Sequence, residues 1–205
     1  MDAKNEKAKL RAAIVERLSA MQDDDRRSES RSICRRILQE LPESPGLLFA
    51  YSPLKSEPDI RPALNELLKK GWRIALPALE DGNIVFRGVE NLDDLVPGPS
   101  GALEPSSFAP VHPSTGSGQA STPVASRESP VVALIPGRAF DRKLHRLGRG
   151  NGGFDRWISQ HRTVSPETKY WAVAFECQLV NEVPTESHDE KMDVVITARG
   201  IATGD

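Results

Sequence analysis

The chain has 205 residues, of which 38% are hydrophobic, and its 27 basic and 29 acidic residues give a formal charge of −2. This length suits one domain with a substantial core, and the near-balance of charge offers no general attraction to nucleic acid or to an anionic membrane. The two cysteines lie far apart, outside any metal-binding spacing, so we expect neither a disulfide nor a zinc site. No apolar run is long enough to span a bilayer, so we expect a cytoplasmic protein. We also expect it to be a monomer.

The first half of the chain alternates between helical and strand-like patterns. Leu10, Ile14 and Leu18 recur at helical spacing, and short apolar runs bounded by proline or glycine are typical of buried strands. In chain order the predicted elements are a helix over 4–21, a helix over 26–40, a strand over 46–51, a helix over 59–70 ended by Gly71, a strand over 73–77 and, after an Asp81-Gly82 turn, a strand over 84–86.

The composition changes over residues 97–130, which are rich in Pro, Ser, Gly and Thr and poor in large apolar residues. Such composition predicts little regular structure. Within this stretch, residues 113–129 are interpreted as a flexible surface insert and not as a domain boundary, because strand-like sequence resumes directly afterwards. We therefore expect a single domain over residues 1–205.

The second half predicts further strands and one helix. A central parallel strand is expected over 131–135, a helix beginning over 155–161, a strand over 170–175 and a last strand over 194–197 that closes the sheet. Strands that alternate with helices predict an α/β fold, with a mostly parallel sheet covered on both faces. In such sheets ligands bind beyond the carboxyl ends of the strands.

A glycine-rich loop follows the predicted central strand. Glycines lack a Cβ, so the backbone N–H groups of such a loop can approach an anion closely, and arginines add donors that suit phosphate oxygens. The pattern favours a triphosphate site with a carboxylate for the accompanying magnesium; the alternative is a structural turn with a solvated basic edge. The loop contains Arg146, Gly148, Arg149, Gly150, Gly152 and Gly153, and it ends at Asp155.

The residues around this loop resemble the signature of the 5-formyltetrahydrofolate cyclo-ligases, also called methenyltetrahydrofolate synthetases. The resemblance covers roughly the whole chain, in the family's order, apart from the insert over 113–129. It is carried by Pro136-Gly-Arg-Ala-Phe-Asp141, Arg146-Leu-Gly-Arg-Gly-Asn-Gly-Gly-Phe-Asp155, Lys7-Ala-Lys-Leu-Arg11, Pro53-Leu-Lys-Ser-Glu57-Pro-Asp59 and the block from Val183 to Asp193.

This resemblance implies a three-layer α/β/α fold, similar to ribose-5-phosphate isomerases and coenzyme A transferases. It also implies an ATP- and magnesium-dependent conversion of 5-formyltetrahydrofolate to 5,10-methenyltetrahydrofolate. The residues it assigns are Lys7, Arg11, Arg146, Leu147, Gly148, Arg149, Gly150, Asn151, Gly152, Gly153 and Phe154 for ATP, with Arg149 also catalytic, Glu57 for the folate substrate, and Asp155 and Asp189 for Mg²⁺.

The chain departs from the family pattern at the end of the loop. Gly153 and Phe154 stand where the family commonly has two tyrosines, so an aromatic ring and two hydroxyls are missing. Two alternative functions therefore stay open. One is a non-catalytic folate- or nucleotide-binding paralogue, and the other is an ATP-dependent enzyme of the same fold that acts on another substrate.

Overall fold

The computed structural model describes residues 3–106 and 131–204. These residues form helices on both sides of one large sheet, with two small two-stranded ribbons beside it. The helices are α1 (Ala3–Ala20), α2 (Asp23–Glu40), α3 (Arg61–Lys69) and α4 (Gly153–Val164), and the strands are β1 (Leu47–Phe49), β2 (Arg73–Glu80), β3 (Asn83–Val89), β4 (Val96–Pro97), β5 (Leu103–Glu104), β6 (Val131–Ile135), β7 (Ala139–Phe140), β8 (Arg146–Leu147), β9 (Lys169–Val173), β10 (Val194–Ile196) and β11 (Ile201–Thr203).

The large sheet has seven strands in the order β11-β10-β9-β6-β1-β2-β3. Its five inner strands run parallel, and β3 and β11 pair antiparallel at the two edges. β6 lies in the middle, where Ala133 pairs with Phe49 of β1 and Leu134 pairs with Trp171 of β9. The predicted central strand and the mostly parallel α/β sheet are confirmed.

Alternate residues of the strands point to two separate cores. On one face, Leu48 and Ile74 pack with α2 and α3, and on the other face Phe49 packs with Trp157 and Ile158 of α4. A third apolar cluster joins α1 to the loops, and it contains Ile14, Leu18, Ala139, Leu147, Phe175 and Val183. The layers are therefore helix, sheet and helix, with α1 packed beside the loops that follow the central strands.

Several element boundaries differ from the prediction. α2 begins at Asp23, earlier than expected, because acidic residues favour the first turn of a helix. β2 continues to Glu80 because it forms one long hairpin with β3 through Asp81 and Gly82, whose φ angles are +48° and +77°.

The strand over 194–197 does not close the sheet, and this prediction was wrong. β10 ends at Ile196, and after a turn in which Thr197 N donates to Gly200 O at 2.9 Å, β11 pairs on its outer side. The stretch from residue 97 contains the short ribbon of β4 and β5, and the insert predicted over 113–129 lies outside the described residues.

The described part of the chain contains both cysteines, and its helices can be compared with the dimensions of a bilayer. Cys34 and Cys177 are both free thiols, the first buried and the second half-buried. Among the helices of this part, none has the combined length and apolar character that crossing a bilayer requires.

Candidate functional site

The glycine-rich loop joins β8 to the first turn of α4, beyond the carboxyl end of the central strand β6. Gly150 and Gly152 have φ angles of +113° and +64°, a region that disfavours side chains with a Cβ, so glycine is required at both positions. Gly152 is the residue at which the chain turns into α4, and its carbonyl accepts the backbone N–H of Arg156 at 3.0 Å. The loop is thus held in a defined conformation by the helix that follows it.

A cleft opens between this loop, the β2–β3 hairpin and the segment that follows β1. The segment after β1 contributes Glu57, the hairpin contributes Ile84, and the β4–β5 ribbon contributes Glu104. The predicted site residues that line the cleft are Glu57, Arg146, Gly148, Arg149, Asn151, Gly152, Gly153, Phe154 and Asp155. The fold therefore brings the residue predicted for folate to the same cavity as the loop predicted for ATP.

Arg146 and Asp155 form a buried ion pair at the base of the cleft. Arg146 is only 4% exposed, and its Nη2 lies 2.7 Å from Asp155 Oδ2. The same guanidinium donates from Nη1 to Pro136 O at 3.1 Å and lies 5.8 Å from the centre of the Phe154 ring. Arg146 therefore fixes Asp155 and the loop against the end of β6 while presenting its charge to the cleft.

Three predicted site residues lie next to the cleft on α1 and on the turn over 186–189. Lys7 Nζ, on a side chain that is almost fully buried, contacts Asp189 Oδ2 at 2.6 Å and Glu186 Oε2 at 2.7 Å. Burial alone would lower the pKa of Lys7, but hydrogen bonds to Asp189 and Glu186 and the charges of these carboxylates raise it. Arg11 Nε donates to Gly148 O at 3.0 Å, so α1 is attached directly to the glycine loop.

Within the glycine loop, two residues predicted for the ATP site do not line the cleft. Leu147 packs its side chain in the third core cluster, against Ile14 and Leu18. Gly150 is exposed on the outer side of the loop, where an added Cβ would lie 3.7 Å from the Arg11 guanidinium. These two residues shape the loop, whereas the other loop residues face the cavity.

The two carboxylates predicted for magnesium lie on neighbouring segments, because Asp155 Oδ1 accepts the backbone N–H of Glu190 at 3.5 Å. The Oδ2 atom of Asp155 is paired with Arg146, and the Oδ2 atom of Asp189 is paired with Lys7. Among the described residues, the contacts of the two Oδ1 atoms are longer, at 3.5 Å for Asp155 and 4.0 Å for Asp189. The described residues hold no cluster of three or more ligating side chains that would form an all-protein metal cage. Two carboxylates do fit Mg²⁺, which usually keeps several waters and binds through one or two carboxylates plus substrate phosphates.

Glu57 is buried beside two arginines. Its Oε2 accepts the backbone N–H of Leu54 at 3.0 Å. Burial raises the pKa of Glu57, and the Leu54 hydrogen bond and the positive charges of Arg149 and Arg138 oppose this rise without cancelling it. Arg149 is exposed at the cleft, and no ion pair within the described ranges uses its guanidinium, so it remains available to a ligand.

Arg138 and Ile84 belong to this region, although the sequence did not assign either residue to the site. Arg138 directly follows Pro136 and Gly137 in the motif from Pro136 to Asp141 that carries the family resemblance. Its position just after β6 therefore indicated that it could lie near the ligands. Ile84 carried no signal, because its contact with the loop joins segments far apart in the chain. A Cβ on Gly153 would lie 3.1 Å from Ile84 Cδ1, so the isoleucine packs closely against this glycine.

Comparison with known proteins gives consistent results. The sequence profile described as the 5-formyltetrahydrofolate cyclo-ligase family matches residues 3–198. A 5-formyltetrahydrofolate cyclo-ligase of Mycolicibacterium smegmatis is 31% identical over 201 residues, which cover 95% of each chain. A probable 5-formyltetrahydrofolate cyclo-ligase of Schizosaccharomyces pombe is 25% identical over 205 residues, covering 93% of this chain and 94% of the relative.

Two solved structures share the fold. The 5,10-methenyltetrahydrofolate synthetase of Aquifex aeolicus superposes with a TM-score of 0.71 at 24% identity, over 96% of this chain and 92% of the other. The corresponding synthetase of Mycoplasma pneumoniae gives a TM-score of 0.70 at 18% identity, over 94% of this chain and 98% of the other. At these identities the two structures support the α/β architecture.

Proposed function

Because this chain belongs to the 5-formyltetrahydrofolate cyclo-ligase family, we propose that it converts 5-formyltetrahydrofolate to 5,10-methenyltetrahydrofolate in a reaction that consumes ATP and requires Mg²⁺. The observation that carries the proposal is the composition of the cleft, where Glu57 faces the same cavity as the glycine loop and Arg149. A folate and a nucleotide bound by these two groups of residues would have their reacting ends next to each other.

The chemistry explains the need for ATP. A formamide carbonyl is a weak electrophile, and its oxygen leaves poorly as hydroxide or water. Transfer of the γ-phosphoryl group to this oxygen releases ADP and creates a good leaving group. N10 of the folate then attacks the activated carbon and loses its proton to water, the carbon–oxygen bond breaks, and inorganic phosphate departs as the methenyl bridge forms. Such a reaction depends on positioning and charge stabilisation and needs no protein nucleophile.

We assign the roles in this reaction from the charges around the cleft. Arg149 binds the transferred phosphoryl group, since its guanidinium is exposed and has no carboxylate partner among the described residues. Glu57 binds the folate. In the structure without ligands, Arg146 pairs with Asp155 and Lys7 pairs with Asp189. When a triphosphate binds, its oxygens can replace the two carboxylates as the partners of these cations.

The carboxylates released in this way are the groups that would hold the metal. Asp155 and Asp189 would then bind Mg²⁺, which would offset the charge of the phosphates. Arg11 and Leu147 anchor the loop to α1 and to the core. The remaining loop residues shape the backbone around the triphosphate, and they are Gly148, Gly150, Asn151, Gly152, Gly153 and Phe154.

An isotope experiment tests the route directly. With the formyl oxygen of the substrate labelled by a heavy isotope, the proposal predicts that the label appears in the released phosphate, with one ADP formed per methenyl group. Label recovered in water, or methenyl formation without ADP, would refute phosphoryl transfer to the formyl oxygen.

A further inference from the structure

Arg138 lies beside the cleft, outside the residues that line it, and has no part in the mechanism proposed above. It follows a tight turn at the end of β6, where a Cβ on Gly137 would come within 2.5 Å of the Phe140 ring. The backbone of Arg138 is held on both sides, since its N–H donates to Leu147 O at 2.7 Å and its carbonyl accepts from Gln178 Nε2 at 3.2 Å. The half-buried side chain therefore extends from a fixed point.

The guanidinium of Arg138 reaches the segment that forms one wall of the cleft. Nη1 donates to Ser56 Oγ at 3.3 Å, and Ser56 directly precedes Glu57, which lines the cleft together with Arg149. In the part of the chain that the structure describes, neither Arg138 nor Arg149 forms an ion pair. The positive charges of Arg138 and Arg149 both act on Glu57, and Glu57 is the one carboxylate of the described residues whose charge acts on Arg138.

The electrostatics of this arrangement favour an additional anion. Burial lowers the pKa of Arg138, the positive charge of Arg149 lowers it further, and Glu57 only partly compensates. Like charges that act on each other in a partly buried place are unfavourable until an opposite charge joins them. A carboxylate or a phosphate supplies that charge, and its oxygens match the paired N–H donors of guanidinium groups.

We propose that Arg138 and Arg149 together hold an anionic oxygen group of a bound substrate beside Glu57. The inference rests on the proposed function, which supplies two sources of such a group: a carboxylate on the glutamate tail of the folate and a phosphate of ATP. Arg138 is then a binding residue that sets substrate affinity, while Arg149 serves both binding and phosphoryl transfer.

Kinetics of Arg138→Gln test the site, because glutamine can keep the hydrogen bond to Ser56 and removes only the charge. The matched control is Arg142→Gln, since Arg142 is an exposed arginine of the neighbouring turn. We expect the KM of one substrate to rise roughly 10- to 100-fold in Arg138→Gln with kcat nearly unchanged, because a hydrogen-bonded charge is lost. The control keeps both KM values, and Arg138→Lys recovers part of the affinity.

The pattern of the KM change identifies the source of the anion. A raised KM for 5-formyltetrahydrofolate assigns the site to a folate carboxylate, and a raised KM for ATP assigns it to a phosphate. The affected KM should also lose part of its dependence on ionic strength, which loss of packing alone would not cause. Unchanged KM values for both substrates in a folded, active Arg138→Gln protein would overturn the inference.

Direct binding separates this inference from the proposed function. If the wild-type protein does not convert 5-formyltetrahydrofolate, titration calorimetry with each ligand still reports the site. Binding that weakens in Arg138→Gln and not in Arg142→Gln would support the anion site although the reaction failed. Equal affinities in wild type and variant, or a wild-type protein that binds neither ligand, would overturn it.

Discussion

Arg149 is the single residue on which the proposed chemistry depends most. It is exposed, unlike Arg146, and within the described ranges its guanidinium makes no ion pair that contributes to folding. We predict that Arg149→Ala lowers kcat/KM roughly 10²- to 10³-fold, because a charge that stabilises the transferring phosphoryl group is lost.

The melting temperature of Arg149→Ala should stay close to that of the wild type. The matched control, Arg142→Ala, removes an exposed arginine outside the cleft and should change neither activity nor melting temperature. Steady-state kinetics combined with thermal melts measure both effects. An Arg149→Ala protein with wild-type activity would remove this residue from the site.

Gly153 and Ile84 pack against each other in the wall of the cleft. A Cβ at position 153 would lie 3.1 Å from Ile84 Cδ1 and 3.4 Å from Cγ1, closer than ordinary contacts, although the end of a flexible side chain can move. We predict that Gly153→Tyr alone is destabilising by about 1–3 kcal/mol, because the added ring overfills this space.

The same contact predicts that Gly153→Tyr and Ile84→Ala are not additive. Removing the isoleucine side chain makes room for the ring, so the double variant should be more stable than the sum of the two single changes indicates. Denaturant unfolding of the four proteins of this cycle gives the interaction free energy. Additive effects would show that Ile84 does not restrict position 153.

At the scale of elements, Asp141 holds together the turn between β7 and β8. Its buried carboxylate accepts three backbone N–H groups, from Lys143 at 2.9 Å, from His145 at 3.0 Å and from Val183 at 2.9 Å. Its Oδ2 also lies 3.0 Å from His145 Nδ1. Burial would raise the pKa of Asp141, but the hydrogen bonds from Val183 and His145 outweigh it and lower the pKa.

A lowered pKa in the folded state has a defined consequence for acid stability. The carboxylate stabilises the fold fully above its pKa in the unfolded chain, and this contribution is lost as the pH falls through the lower folded value. Asp141→Asn should therefore reduce the free energy of unfolding by roughly 2–4 kcal/mol at neutral pH, with a smaller reduction below about pH 4.

The exposed Asp24 supplies the control, since Asp24→Asn removes a carboxylate from the surface of α2. It should have little effect at either pH. Urea unfolding at the two pH values measures all three proteins. A penalty for Asp141→Asn that does not change with pH would contradict the assigned role of the charge.

Helix α1 is attached to the site through its polar side. Lys7 bridges to Asp189 and Glu186, and Arg11 donates to the Gly148 carbonyl, while Ile14 and Leu18 anchor the helix in the core. Lys7→Met leaves two carboxylates without their cation. We predict a loss of about 2–3 kcal/mol in stability, less than for a fully buried pair because Glu186 is partly exposed.

Hydrogen exchange locates this effect. In Lys7→Met the amides of α1 and of the glycine loop should exchange faster, and the KM for ATP should rise. Lys9→Met changes an exposed lysine of the same helix and should alter neither. Unchanged protection of α1 in Lys7→Met would show that the ion pairs do not hold the helix in place.

At the scale of the whole molecule, sequence patterns predicted those features that depend on residues close together in the chain. β6 was predictable because a short apolar run bounded by Pro130 and Pro136 is typical of a buried strand, and the glycine loop because its residues are contiguous. β11 was missed, since three residues after a turn give no periodicity.

Contacts between distant segments were beyond the reach of local patterns. Lys7 and Asp189 are 182 positions apart, and only the resemblance to a family indicated that they belong to one site. Nothing in the local sequence marked Ile84 as a neighbour of Gly153, because that contact depends on how the hairpin packs against α4.

The most direct test of the account is the rise in methenyltetrahydrofolate absorbance when the purified full chain is mixed with 5-formyltetrahydrofolate. We predict a rise only when ATP and Mg²⁺ are both present, accompanied by an equal amount of ADP. A flat trace from protein with a cooperative melting transition would contradict the proposed function, and so would a rise that does not depend on ATP.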